Sequence, residues 1–281
     1  MRKIALVTDS TADIPRQVAA KDNIQVMPLT ILFGDKEYLD GVDIQSDEFY
    51  DKLQKSKELP RSSQPSPADF TTLYKDLLEH YSEIISIHLS SSLSGTINSA
   101  QLAKEKLKAK IHIVDSKSIS LGIGLMVAEA AKCIKEGLNV KDTMDKISYV
   151  RENSETLFTL NTLEYLSKGG RIGKVSGMLG SMLNIKPIVR VNDEGIYVPF
   201  GKARSQNKAL KTLEQGFEKL ANGRKPVKLA VAHGAASEAA ARLKDSLENA
   251  LGIKASLFTQ VGPVIGVHTG PGTIGAAVQY E

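Results

Sequence analysis

With 281 residues, 42% hydrophobic and 24% charged, the chain has the composition of an ordinary globular protein and the length for two domains with sizeable cores. Thirty-six Lys and Arg against 32 Asp and Glu leave a net charge of +4, too mild an excess to point to nucleic acid. The single Cys133 excludes a disulfide framework or a cysteine metal site, and the lack of a signal-type N-terminus or a bilayer-length apolar run predicts a cytoplasmic protein.

Residues 4–7 are a continuous apolar run, as expected of a strand buried on both faces, and end in the polar turn Thr8-Asp9-Ser10-Thr11-Ala12-Asp13. A helix is predicted from Asp13-Ile14-Pro15, with Asp13 as its cap. Residues 23–33 read as one strand and 34–36 as a turn, and Ser46-Asp47-Glu48 opens a second helix with an acidic first turn. The segment 59–65, rich in proline and hydroxyls, predicts an irregular loop. Ser66-Pro67-Ala68-Asp69 is a capping-box pattern, and Phe70, Leu73, Tyr74, Leu77, Leu78 and Tyr81 follow on one helical face.

The next stretch draws most attention. An apolar run over 84–89 ends in Ser90-Ser91-Ser92-Leu93-Ser94-Gly95-Thr96 and then passes into helix-forming residues. Such a strand–turn–helix junction offers unpaired amides and a helix N-terminus to an anion, or else its serines simply cap the helix. A further strand over 110–114 ends in Asp115-Ser116-Lys117-Ser118, and helices follow over 119–136 and 139–151. Cys133 falls in the first of these two helices and reads as a small buried hydrophobe. Residues 1–152 are therefore expected to form an α/β domain around a doubly wound parallel sheet, with three polar turns along one carboxyl edge.

Residues 153–281 have a different texture and predict an α+β sandwich domain. A strand over 156–160 and a short helix over 163–168 lead into the basic glycine turn Gly169-Gly170-Arg171-Ile172-Gly173-Lys174. A short helix over 176–183, a hairpin of 186–191 with 196–202 around Asn192-Asp193-Glu194-Gly195, and a helix over 206–220 come next. After a strand over 227–232 and a helix over 237–251, strand material at 255–257 gives way to a glycine- and proline-rich stretch holding His268, and a strand over 274–279 ends the domain.

Catalytic signatures are absent from the sequence: it has no Walker A loop, no HExxH, no Gly-x-Ser-x-Gly elbow and no dinucleotide fingerprint after a strand. Of five histidines, none has metal-ligand spacing; His88 and His112 lie in strand patterns, and His233 and His268 are the two worth keeping as functional candidates. No serine has an activating base near it in sequence, which a nucleophile requires. The hydroxyls are better suited to hold an anion, and with Arg61 the only basic residue close in sequence to Ser62, Ser63 or Ser94, the balance tilts towards a carboxylate over a phosphate.

Several strings resemble the DegV family: Val7-Thr8-Asp9-Ser10-Thr11-Ala12-Asp13, Ser62-Ser63-Gln64-Pro65-Ser66-Pro67, Leu89-Ser90-Ser91-Ser92-Leu93-Ser94-Gly95-Thr96, Val114-Asp115-Ser116, Leu166-Ser167-Lys168-Gly169-Gly170-Arg171-Ile172, Ile185-Lys186-Pro187-Ile188 and Val267-His268-Thr269-Gly270-Pro271-Gly272. The resemblance implies a two-domain α/β fold with a long-chain fatty acid in an apolar tunnel between the domains, its carboxylate held by Ser62 and Ser94 with His268 as third partner. Ser62 stands where the family often has threonine, so the donor is kept and a methyl is lost. It further implies a non-catalytic subunit, with neither metal nor other cofactor, that takes fatty acid from an anionic membrane surface. The subunit then presents the carboxylate to a separate ATP-dependent fatty-acid kinase subunit, which makes the acyl phosphate for phospholipid synthesis. Arg171 and Arg204 are then candidates for contact with the kinase or membrane, alongside Lys174, Lys202, Lys208 and Lys211. Ile172, Val175, Met178, Leu179, Met182 and Leu183 fall near one helical face and either line the acyl tunnel or form ordinary core. The alternative is a phosphotransferase or hydrolase acting on a small anion at the same sheet edge.

Overall fold

The computed structural model describes residues 2–56, 58–178 and 185–281. The first half supplies β1 (Arg2–Asp9), α1 (Arg16–Lys21), β2 (Ile24–Met27), β3 (Thr30–Phe33), β4 (Lys36–Leu39), α2 (Ser46–Lys55) and β5 (Arg61–Ser63). It continues with α3 (Pro67–Leu78), β6 (Tyr81–His88), α4 (Thr96–Leu107), β7 (Ile111–Asp115), α5 (Leu121–Lys135) and α6 (Val140–Glu152). Four strands form a parallel sheet in the order β2-β1-β6-β7, and β4-β3-β5 form a small antiparallel sheet beside it. From β1 the chain first steps to β2 on one side and later to β6 on the other. The carboxyl ends of β1 and β6 are thus the switch point of the sheet, the place where open α/β sheets bind ligands. The apolar ends of both strands are buried on both faces, as their unbroken hydrophobic runs require.

The second half builds a six-stranded mixed sheet in the order β10-β9-β8-β13-β11-β12, from β8 (Ser154–Thr159), β9 (Lys186–Val191), β10 (Tyr197–Ala203), β11 (Pro226–His233), β12 (Ala255–Gln260) and β13 (Ile274–Tyr280). Its helices are α7 (Glu164–Lys168), α8 (Gln206–Ala221), α9 (Ser237–Leu251) and α10 (Pro263–Thr269). Amphipathic α8 and α9 cover one face through Leu213, Phe217, Leu243 and Leu247. The other face meets α5, which packs on β1 and β6 as well as on β8, β11 and β13. Ten of its 15 residues are buried, so only a narrow stripe of Ala128, Lys132 and Lys135 reaches solvent, and the helix sits between the two sheets.

The capping box at Ser66 and Asp69 forms as expected, and Cys133 is buried. Several elements differ from the sequence reading. Pro28 divides residues 23–33 into β2 and β3, which join different sheets. Asp13 does not cap α1: it ends a 3-10 turn at φ 52° and sends its carboxylate to Gly262 and Ser120 instead. Residues 61–63, expected to be irregular, form the edge strand β5 on β3, with Ser62 opposite Ile31. Residues 263–269, read as a glycine-rich turn, form α10, with His268 in its last turn. The expected helix over 176–183 is a 3-10 helix at Gly173–Met178 as far as it is described, and Leu179, Met182 and Leu183 lie outside the described residues.

Candidate functional site

The loops that leave β1 and β6 are tied together by a buried polar network. Asp9, fully buried, accepts from Thr11 N at 3.0 Å, from Leu89 N at 3.1 Å and from His88 Nδ1 at 2.9 Å. His88 Nε2 pairs with Ser86 Oγ at 2.7 Å, and Ser86 with Tyr74 Oη at 2.8 Å. His88 is thereby satisfied, the outcome expected for a strand histidine, and His112 pairs with Glu83 at 3.0 Å. With these buried groups all partnered, the network fixes the floor on which Thr11 and Leu89 stand.

The serine turn comes next. Ser94 N donates to Ser90 O at 3.2 Å, and Ser92 N to Ser90 Oγ at 3.2 Å, so Ser90 shapes the turn that presents Ser94. Ser94 Oγ lies 3.0 Å from Thr96 Oγ1 and accepts from Thr96 N at 3.3 Å, at the start of α4. Gly95 leaves room for the Gln64 amide, since a Cβ here would sit 2.3 Å from Gln64 Oε1. Gln64 in turn reaches Ser99 of α4.

These pieces surround a cavity of about 40 Å3 lined by Ser62, Gln64, Leu93, Ser94, Arg171 and His268, with Thr11, Tyr197 and Ile265 also in its wall. Ser62 and His268, 206 positions apart, are brought together at 2.7 Å between Oγ and Nε2. Burial, and after it the Arg171 charge, lowers the His268 pKa to about 4, so the ring is neutral. Its Nδ1 is buried without a hydrogen-bond partner, and Gly169 makes the room: a Cβ there would stand 2.4 Å from Nδ1. A buried imidazole N–H without an acceptor is the costlier orphan, which assigns the proton to Nε2, donating to Ser62 Oγ. The Ser62 hydroxyl hydrogen is then free to turn into the cavity. Sequence reading found no base near any serine, and here one lies at hydrogen-bond distance. In this tautomer, however, His268 donates to Ser62 and takes no proton from it.

Arg171 also changes the picture. Arg61 was the only basic residue close in sequence, yet the fold brings Arg171 to the cavity, where it donates to Leu93 O at 3.3 Å and to Gly169 O at 2.9 Å. Arg204 is exposed in the turn after β10 and lines neither this cavity nor the one behind it. His233 accepts from Ala236 N at 3.4 Å and lines neither as well. Gln64 and Tyr197 are lining residues that sequence reasoning did not single out; Gln64 stood in a quoted string, whereas nothing local marks Tyr197.

Behind the polar cavity lies a second of about 30 Å3, almost wholly apolar, lined by Leu121, Phe158, Ala232, Val261, Gly275 and Ala276 among others. Ile119, Ile265 and Thr269 belong to the walls of both. Of the residues proposed from sequence for an acyl tunnel, Val175 is buried and Ile172 and Met178 pack against the core, but none of the three lines this cavity. The cavity of hydroxyls, neutral histidine and one arginine thus shares walls with an apolar one bounded by α5, α10 and the mixed sheet.

Among the described residues no helix is long and apolar enough to cross a membrane, and no group of His, Cys, Asp and Glu is placed to hold a metal ion. Comparison with known proteins gives consistent matches over the full length. The family described as "Uncharacterised protein, DegV family" matches residues 3–281. A DegV domain-containing protein of Clostridium acetobutylicum is 40% identical over 280 residues, covering 99% of each chain. A fatty-acid-binding DegV family protein from Thermus thermophilus superposes with a TM-score of 0.94 at 34% identity, over 99% of this chain and 100% of that one. A stearic-acid-binding protein from Eubacterium ventriosum superposes at 0.91 with 28% identity, over 100% and 98%.

Proposed function

This chain belongs to the DegV family, and from that membership we propose that it binds one long-chain fatty acid. The acid's carboxylate would lie among Ser62, Ser94 and His268, its acyl chain running inward past Ile119 and Ile265. The observation that carries the reading is the direct backing of a polar cavity onto an apolar one through shared walls. A single-headed amphiphile matches that arrangement; a free inorganic anion leaves the apolar half unused. Ser62 and Ser94 each offer a hydroxyl hydrogen to a carboxylate oxygen, and Arg171 supplies positive charge in the wall. The acyl chain enters as the two narrow cavities widen and join. In the same reading the chain divides near residue 152, with strands β1–β7 before that point and β8–β13 after it.

The role proposed is a carrier's, without catalysis by this chain and with no metal or other cofactor. The protein takes fatty acid from an anionic membrane surface in the cytoplasm and presents its carboxylate to a separate ATP-dependent fatty-acid kinase subunit, with Arg171 and Arg204 contacting kinase or membrane. The kinase step rests on the family resemblance, and ATP-dependent acyl-phosphate formation on adding a kinase subunit tests it. For the ligand itself, native mass spectrometry of the purified chain should show an adduct of long-chain fatty-acid mass. A chain that carries none, and takes up neither oleate nor palmitate, overturns the reading.

A Ser–His hydrolase of a small anionic ester is the second reading, and the 2.7 Å between Ser62 and His268 favours it. It lacks the third group that orients such a histidine, since Nδ1 has no partner. Turnover of p-nitrophenyl phosphate or ATP by the isolated chain, lost in Ser62→Ala, would establish it.

A further inference from the structure

Helix α10 has no capping side chain of its own, for Gly262 precedes it. Two carboxyl groups from the opposite end of the sequence meet its first amides instead. Asp13 Oδ1 accepts from Gly262 N at 2.7 Å, and Asp40 Oδ2 from Val264 N at 3.3 Å. The other Asp13 oxygen takes the hydroxyl of Ser120, the residue that precedes α5. Both ends of that last contact have the positive φ that L residues seldom adopt, 52° at Asp13 and 49° at Ser120. Gly262 is tightly enclosed: a Cβ there would lie 3.0 Å from Asp13 Oδ1 and 3.4 Å from Asp40 Oδ1. Further along, Gly266 lies against α2, where a Cβ would meet the Phe49 ring at 2.5 Å and the Tyr50 hydroxyl at 2.9 Å. At the far end of the same short helix stands His268, bonded to Ser62.

We propose that Asp13 and Asp40 are positioning residues for the fatty-acid site: as a pair of long-range caps they fix α10, so hold His268 against Ser62, and loosening them lets the ligand leave. The proposal deepens the fatty-acid reading and rests on it. A cleft of about 530 Å3, lined by both carboxyl groups and rimmed by Arg16 and Asp47, gives solvent a way to them when α10 shifts.

The arrangement also predicts a pH dependence whose source can be isolated. The charged or titratable groups facing the pair are Asp9 behind it, Tyr50 from α2, Arg16 and Asp47 at the cleft, and each carboxyl itself towards the other. Burial, with a smaller contribution from neighbouring carboxylates, raises Asp13 to about 8 and Asp40 to about 7. The serines at the ligand do not titrate in this range, and His268 stays neutral above about pH 4. When α10 opens, water restores both carboxyls to their ordinary range, so ionisation favours the open arrangement. Ligand is therefore retained best at low pH and released progressively faster as pH rises through 7 to about 8.

The test follows oleate transfer from the full-length protein to vesicles at pH 6 and pH 9. The parent is compared with Asp13→Asn, Asp40→Asn and the double variant, which keep an acceptor for each amide but cannot ionise. The parent should release at least tenfold faster at pH 9, since each pH unit of linkage is a factor of ten; the double variant should change little, and any titration of oleate itself is common to both. In ligand-free protein, the amide resonances of Gly262 and Val264 should titrate in the parent and stay fixed in the double variant. A pH profile of release that is the same in parent and double variant overturns the proposal, as do Gly262 and Val264 amides that do not titrate in the parent. If those amides titrate but no oleate binds, it is the ligand reading that has failed, and the caps stand without the role assigned to them. Either single variant serves should the double one not fold.

Discussion

A single methyl group at Gly169 should disable the head-group site while leaving the fold in place. The backbone there accepts alanine, with φ at −75° in the ordinary helical region, so the strain comes only from what the Cβ touches. The added Cβ would stand 2.4 Å from His268 Nδ1 and 2.9 Å from Tyr165 O. Ordinary contact begins at 3.4 Å, so the imidazole must retreat by about 1 Å, enough to break its 2.7 Å hydrogen bond to Ser62. Ser62 then loses the donor that fixes its hydroxyl towards the ligand. A hydrogen bond to a charged group is worth about 1.5–3 kcal/mol, so affinity for oleate or palmitate should fall by about tenfold or more. Gly177→Ala is the control, because a Cβ there meets nothing within 4 Å. Displacement of a fluorescent fatty acid measures affinity, urea unfolding measures stability, and 15N shifts of His268 report its position. An affinity within twofold of the parent, with the His268 resonance demonstrably moved, would refute the role of the Ser62–His268 pair.

Ser94→Ala should weaken fatty-acid binding by about 1.5–3 kcal/mol in a calorimetric titration. It should also cost about 1 kcal/mol or less of stability, because Thr96 N loses its acceptor at the start of α4. Ala276→Val adds two carbons beside the apolar cavity of about 30 Å3, on a strand that suits a β-branched residue. It should raise the melting temperature of the ligand-free protein and lower affinity for the longest acids; an affinity that stays at the parent's value would argue that the cavity is ordinary core. The linkage of Asp13 and Asp40 also acts on stability. Their folded pKa values, about 8 and 7, lie above the ordinary 3.8, so the stability they confer is full below about pH 4 and lost as pH rises through 8. The stability of the Asp13→Asn/Asp40→Asn variant relative to the parent should therefore grow between pH 5 and pH 9 by at least about 1.4 kcal/mol, the equivalent of one pKa unit. A difference that is constant with pH in urea unfolding would contradict the buried placement of these groups.

Elements whose cause is local were legible in the sequence. The apolar runs of β1 and β6, the capping box of α3 and the hydroxyl turn after His88 each follow from a few adjacent residues. What was hidden depends on distant partners. The strand β5 is three residues long and shows no periodicity; it is a strand only because β3 pairs with it. Helix α10 is buried around almost its whole circumference, leaving no polar face to mark a helical period, and its flanking glycines read as a turn. Asp13 had every local sign of a cap for α1, yet its partners are Gly262 and Ser120. The candidate head-group residues were reached through family strings, but neither the Ser62–His268 bond nor the approach of Arg171 to Leu93 could be seen from spacing, because each joins positions far apart in the chain.

The presence of Arg171 reopens a choice that the sequence had seemed to narrow. An arginine with two serines is as fit for phosphate as for carboxylate, so the head-group residues alone do not select the ligand. The decision passes to the walls behind them. A phosphate would leave unused the apolar cavity behind them, whose walls include Ile119, Leu121, Phe158, Ile265 and Ala276. An anion with an apolar tail meets both halves at once, with its charge near Arg171 and its chain in contact with the mixed sheet. The neutral His268 fits that ligand as well. A protonated ring would add a second cation and tighten the hold on a head group, whereas a neutral one that orients Ser62 would leave a carboxylate there held by hydrogen bonds, as the proposed carrier role needs.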